Sequence, residues 1–174
     1  ILVFQDSDCF LSSDNAYIEA VNFIRNKECD FVYPHNRCPR YDIEDFSFFE
    51  TGDMEKLKFV RQTTNNTGGL SVINIDAFLK MGMWNEFFES WGKEDDDFYR
   101  RCIKSELTIK RIDSALIHLN HEQEIGAGFY TKINSKQSQI DRIWRMSKDE
   151  LREEVSSWPW VLRLAEAIEE KKSD

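Results

Sequence analysis

The sequence predicts an α/β fold, on three observations. Short apolar segments at 1–4, 30–33, 70–75, 107–111 and 115–119 have strand length. Between them lie segments of helical period, at 14–27 and from about 94 to 105. The two kinds alternate along the chain, which is how strands and covering helices are ordered in α/β domains. A length of 174 residues suits one domain, 1–174. It is long enough to bury about two-thirds of the unfolded surface.

Residues 1–4 read as a short buried strand that runs into Asp6-Ser7-Asp8. Extended backbone puts i and i+2 on one face, so Asp6 and Asp8 would point together beyond the strand's end. Two like charges held side by side call for a cation, a metal ion being the simplest. A solvated Asp-rich turn is the other reading. Residues 14–27 form a helix with Tyr17, Ala20, Val21 and Ile24 on one face and Asp14 as its cap. Pro34 stops the strand at 30–33, and residues 34–56 read as a long irregular excursion.

Gly68-Gly69 precedes the strand at 70–75, where a glycine lets backbone approach a ligand or simply turn. Asp76 caps a short helix that ends at Gly82. Trp91-Gly92 then leads into Glu94-Asp95-Asp96-Asp97. Acids at a helix start are favoured by the macrodipole, which by itself accounts for such a run. An aromatic and a glycine just before it are also what a binding loop uses, and a carboxylate there could be a general base. His118 and His121 flank the end of the last strand; imidazole suits Mn, Fe or Zn, and equally needs no explanation at a surface. Gly126 and Gly128 mark a mobile loop; the resemblance described below implies a lid over 122–134. Ser147 and Glu150 form a capping box, and a second C-terminal helix runs over 159–172. Residues 145–174 thus form a helical C-terminal extension.

Composition excludes several classes. No apolar run approaches the ~20 residues of a membrane helix. The net charge of −9 argues against a nucleic-acid partner. Cys9, Cys29, Cys38 and Cys102 are widely spaced without a CxxC, which supports neither a zinc knuckle nor a disulfide framework. Cys102, beside Phe98 on a helix, reads as core. Asn65-Asn66-Thr67 is a formal glycosylation sequon of little weight.

The stretches VFQDSD, GGLSVINIDAFLKMGMWNEFFESWGKEDDDFYRR and HLNH, with QSQIDRI more weakly, occur in a recognisable order. They resemble the C-terminal catalytic part of the beta-1,4-galactosyltransferase family and the related chondroitin-type hexosaminyltransferases. The resemblance covers roughly residues 1–12 and 68–145. It implies a GT-A-type, Rossmann-like nucleotide-diphospho-sugar transferase domain lacking the N-terminal nucleotide-base-binding portion, which we expect to precede Ile1. It also implies an inverting glycosyltransferase that moves galactose or N-acetylgalactosamine from a UDP-sugar to a carbohydrate or glycoconjugate acceptor, with Mn²⁺ or another divalent cation.

By position, the resemblance implies Asp8 and His121 as metal ligands, with His118 a further one. Asp6 would lie near the ribose or the metal's water shell. Gly69, Trp91, Gly92, Glu94 and Asp96 would contact donor or acceptor sugars. Asp95 would be the general base. The family's WGWGG before EDDD is here SWGK, so Lys93 replaces a glycine. The expected setting is a bacterial cytoplasm making surface polysaccharide, or a Golgi lumen if a preceding segment carries a signal anchor. Two rival readings fit parts of the sequence. One is a haloacid-dehalogenase-type phosphatase with Asp6 as nucleophile, which leaves His121 and Gly68-Gly69 without a role. The other is a sugar-binding domain without catalysis.

Overall fold

A computed structural model describes residues 1–88, 92–121 and 129–173. The fold is mixed α/β, with two four-stranded mixed sheets. The chain divides into two compact units, residues 1–74 with 108–125, and 75–107 with 126–174.

The first unit holds both sheets. One has the order β1 (Leu2–Gln5), β6 (Leu70–Ile73), β3 (Phe31–Tyr33), β7 (Ile109–Arg111). β6 runs against β1 and β3, and β3 is parallel to β7, so β1, β3 and β7 share one direction. The other has the order β2 (Cys9–Leu11), β8 (Leu116–Leu119), β4 (Arg37–Ile43), β5 (Leu57–Thr64). Helix α1 (Asn15–Arg25) supplies Ala16, Ala20 and Ile24 to a core that takes residues from both sheets, among them Cys9, Val32, Val72 and Leu116. A second cluster, Phe48, Leu57 and Leu119 with Phe10 and Tyr41 packed on it, includes helix α2 (Phe48–Thr51).

In the second unit, helix α3 (Ile75–Lys80) ends in a Schellman motif. Gly82 N–H bonds to Leu79 O and Met83 N–H to Phe78 O, with Gly82 at φ 77°. A side chain at Gly82 would also meet Val155 Cβ at 2.8 Å and Trp158 at 2.9 Å. Helices α4 (Glu94–Lys104), α5 (Phe129–Arg145), α6 (Lys148–Ser156) and α7 (Pro159–Ser173) complete this unit. Ile143, Leu151, Val155, Trp158 and Trp160 form its core, so the C-terminal helices α6 and α7 contribute to packing. The predicted capping box opens α6. No helix among the described residues is long and apolar enough to cross a membrane.

Several elements depart from expectation. β1 is an edge strand with Val3 48% exposed, because only one of its faces meets the core. Asp14 adopts helical φ/ψ and makes no side-chain cap; Ser13 Oγ accepts the Asn15 N–H instead. Asp76 lies inside the first turn of α3. Residues 34–56, expected to be irregular, contain β4 and α2. Pro39 is tolerated within β4 beside the register shift at Arg40/Tyr41. β5 was unreadable because only Leu57 of its eight residues is buried, which leaves no alternation. The α5 helix covers 129–134, the end of the expected lid; residues 122–128, with Gly126 and Gly128, lie outside the described residues.

Candidate functional site

Asp6, Ser7 and Asp8 are not strand. β1 stops at Gln5, and Cys9 N–H bonds back to Asp6 O at 3.1 Å, closing a tight turn into β2. The expectation that alternation along a strand aligns the two acids is therefore corrected. The turn aligns them: a ligand atom from each of Asp6, Asp8 and Cys9 lies within 4.8 Å of the others. Three contacts fix this turn. Asp6 N–H donates to Gly69 O at 2.9 Å, Leu119 N–H donates to Asp8 O at 2.9 Å, and Gln5 Nε2 donates to Cys9 O at 2.6 Å.

β8 brings the histidines to the same place. Register pairs Cys9 with His118, and the chain leaves β8 at Leu119 so that His121 turns back. His121 Nε2 stands 3.1 Å and His118 Nε2 3.4 Å from one oxygen, Asp8 Oδ2. The two rings stack at 6.1 Å and 15°. Asp8, His118 and His121 thus offer ligand atoms within 4.8 Å of one another.

Electrostatics suit a cation. Partial burial and the Asp8 charge push the Asp6 carboxyl above the usual carboxylate range. Burial, then the Arg40 charge, push the His118 imidazole below its ordinary value, and Asp8 pulls the other way. A neutral imidazole is the ligating form. Two imidazoles and a carboxylate are the donor chemistry of Mn, Fe or Zn sites, so the residues fit the implied divalent ion. Cys9 escaped the sequence reading as part of this cluster, although its place directly after Asp8 was the signal. Burial and both acids raise its thiol pKa, so it stands there as a protonated thiol.

Gly69, at the start of β6, has φ 92°. A Cβ there would meet Leu116 Cδ2 at 2.6 Å and Cys9 Sγ at 3.3 Å. The fold therefore has its own reason for this glycine.

In the second unit, Glu94, Asp95 and Asp96 occupy the first turn of α4, half-buried. The four acids are not equivalent. Asp97 is fully buried; its Oδ2 accepts from Arg101 Nε at 2.9 Å, and Arg101 Nη2 stands 2.8 Å from the same oxygen as its ion-pair partner. Arg101 also donates to the carbonyls of Met81 and Met83 and packs on Phe98 and Trp158. Asp97 is thus a structural member of the run. Among the described residues Glu94 Oε2 is buried with no hydrogen-bond partner, while Asp96 meets Lys93 Nζ at 3.2 Å. Lys93 has φ 78°, a left-handed conformation that favours glycine. Lys136, buried on α5, donates to Gly92 O at 3.0 Å and so braces this turn. A lone lysine gave no sequence signal for that role. Trp91 lies outside the described residues.

Residues 52–124 match one family model, the N-terminal domain of galactosyltransferase. The match supports the galactosyltransferase family. A galactosyltransferase-type segment here spans Gly69, the acidic start of α4 and both histidines, while Asp6 and Asp8 precede it. A comparison with curated proteins returns no match.

Proposed function

We propose that this protein is an inverting, metal-dependent glycosyltransferase. It moves a hexose or N-acetylhexosamine, galactose or N-acetylgalactosamine foremost, from a UDP-sugar to a sugar hydroxyl. In this reading the chain is the C-terminal, GT-A-type catalytic part of such an enzyme, with kinship to the chondroitin-type transferases. The observation that carries it is the convergence of Asp8, His118 and His121 on one point, in a chain with a galactosyltransferase-type segment.

Asp8, His118 and His121 would hold the divalent cation, Mn²⁺ by preference. When bound, such an ion offsets negative charge on the departing UDP. Asp6 serves the ribose or the ion's water shell. Gly69 lies against the donor sugar; Trp91, Gly92, Glu94 and Asp96 orient the sugars. The orphaned Glu94 Oε2 supports this, since a buried acceptor wants a donor such as a sugar hydroxyl. Asp95 takes the proton from the acceptor hydroxyl. The hydroxyl oxygen then bonds to the anomeric carbon from the face opposite the leaving group, the carbon–oxygen bond to UDP breaks, and the configuration inverts. Its place in the first turn of α4 sets Asp95 at the positive end of the helix dipole.

Asp95→Asn is the test. Transfer should fall by about 10²–10⁴-fold, the share of a positioned general base, with UDP-sugar binding kept. Near-wild-type turnover would remove Asp95 from the role.

A further inference from the structure

The sheet that carries His118 places two arginines beside it. Strand register puts Cys9 opposite His118, His118 opposite Arg40, and Arg40 opposite Arg61. Directly opposed residues project from one face of a sheet, at strand spacings of about 5 Å. The row therefore runs outward from the Asp8–His118–His121 cluster to two guanidinium groups. Nothing about the fold asks for this. Like charges directly opposite each other destabilise a sheet, and the chain as a whole has net charge −9, so arginines are not placed here by abundance of cations. Across the same hairpin, Lys58 faces Asp42, the complementary arrangement that Arg40 and Arg61 lack. Among the described residues neither Arg40 nor Arg61 makes an ion pair, and Arg40 Nε is buried with no hydrogen-bond partner. An unsatisfied buried donor on a cation is costly unless a ligand meets it.

We infer that Arg40 and Arg61 form an anion subsite that extends the metal cluster along β4 and β5, and that its ligand is a phosphoryl group of the nucleotide diphosphate. Guanidinium forks match phosphate oxygens in a bidentate way, and two of them next to a cation cluster suit a dianionic group. The inference rests on the proposed donor, and its test separates the two. The sequence hid the pair because both residues lie in segments without periodicity.

The experiment is calorimetric titration of pyrophosphate, UDP, uridine and glucuronate into the protein at saturating Mn²⁺. Wild type is compared with Arg40→Ala, Arg61→Ala and Arg40→Lys. Each alanine variant should bind pyrophosphate and UDP about tenfold more weakly. Uridine binding and Mn²⁺ affinity measured alone should not change, which also reports an intact fold. Arg40→Lys should recover part of the loss. Alanine variants that bind pyrophosphate like wild type overturn the subsite, as does a loss matched by equal loss of Mn²⁺ affinity. Arginine-dependent binding of glucuronate in place of pyrophosphate overturns the phosphoryl assignment. Arginine-dependent pyrophosphate binding without UDP-sugar turnover sustains the subsite and removes the transferase reading. Turnover that the alanine variants leave untouched does the reverse. Absence of any pyrophosphate or UDP binding to wild type removes both.

Discussion

At the scale of single residues, His35 is the clearest case of a side chain whose chemistry is set by burial. Its ring is fully buried and edge-on to Tyr33 at 5.9 Å. Burial, then the Arg111 charge, push its pKa down to about 4. The folded chain thus holds His35 neutral, while the unfolded chain takes a proton near pH 6.5. Between those values the unfolded state binds more protons, so stability falls as pH drops from 6.5 towards 4. The gap corresponds to roughly 3 kcal/mol. His35→Phe should remove that part of the acid limb. Thermal unfolding at a series of pH values should show a shallower loss than in wild type; parallel limbs would mean that other groups carry the acid sensitivity. In the sequence, His35 after Pro34 reads as loop, and no local pattern marks it as buried.

At the scale of elements, α4 shows how one acidic run divides its work. Helical period points Asp97 inward while Glu94, Asp95 and Asp96 stay half-exposed. The run was legible in the sequence, and so was its place at a helix start. Asp97's partner was an i, i+4 arginine that also reads as an ordinary surface pair. Arg101→Ala would leave a buried carboxylate unpaired, at a cost of about 3–5 kcal/mol. Asp97→Leu with Arg101→Met should recover most of it, because an apolar pair of similar volume replaces a buried ion pair at little cost. Urea unfolding of the single and double variants measures this; a double variant as unstable as Arg101→Ala would show that the carbonyl contacts to Met81 and Met83 dominate. The Asp6–Asp8 turn offers the complementary lesson. The acids were recognised as a cluster, but the reason lay in a hydrogen bond from Cys9 N–H to Asp6 O, not in alternation.

At the scale of the whole molecule, the α/β class, α1, α4, β8 and the C-terminal helices follow from period, caps and glycine. The β4–β5 hairpin does not, because only Leu57 of β5 is buried and Pro39 and a register shift interrupt β4, and α5 begins in a stretch that reads as loop. Within the candidate site the residue types were legible, and the convergence was not: only the pairing of β2 with β8 brings Asp8 and the histidines to one point. Burial with no internal partner at Glu94 Oε2 and Arg40 Nε was likewise invisible in one dimension. The central claim is that this convergence serves a nucleotide-sugar donor through a divalent ion. Calorimetric titration of UDP into the protein, with and without Mn²⁺, tests it most directly. Binding should require Mn²⁺ and should weaken at least tenfold in Asp8→Ala, which removes a ligand of the ion. Binding of UDP that ignores both Mn²⁺ and Asp8, or no binding under either condition, would contradict it.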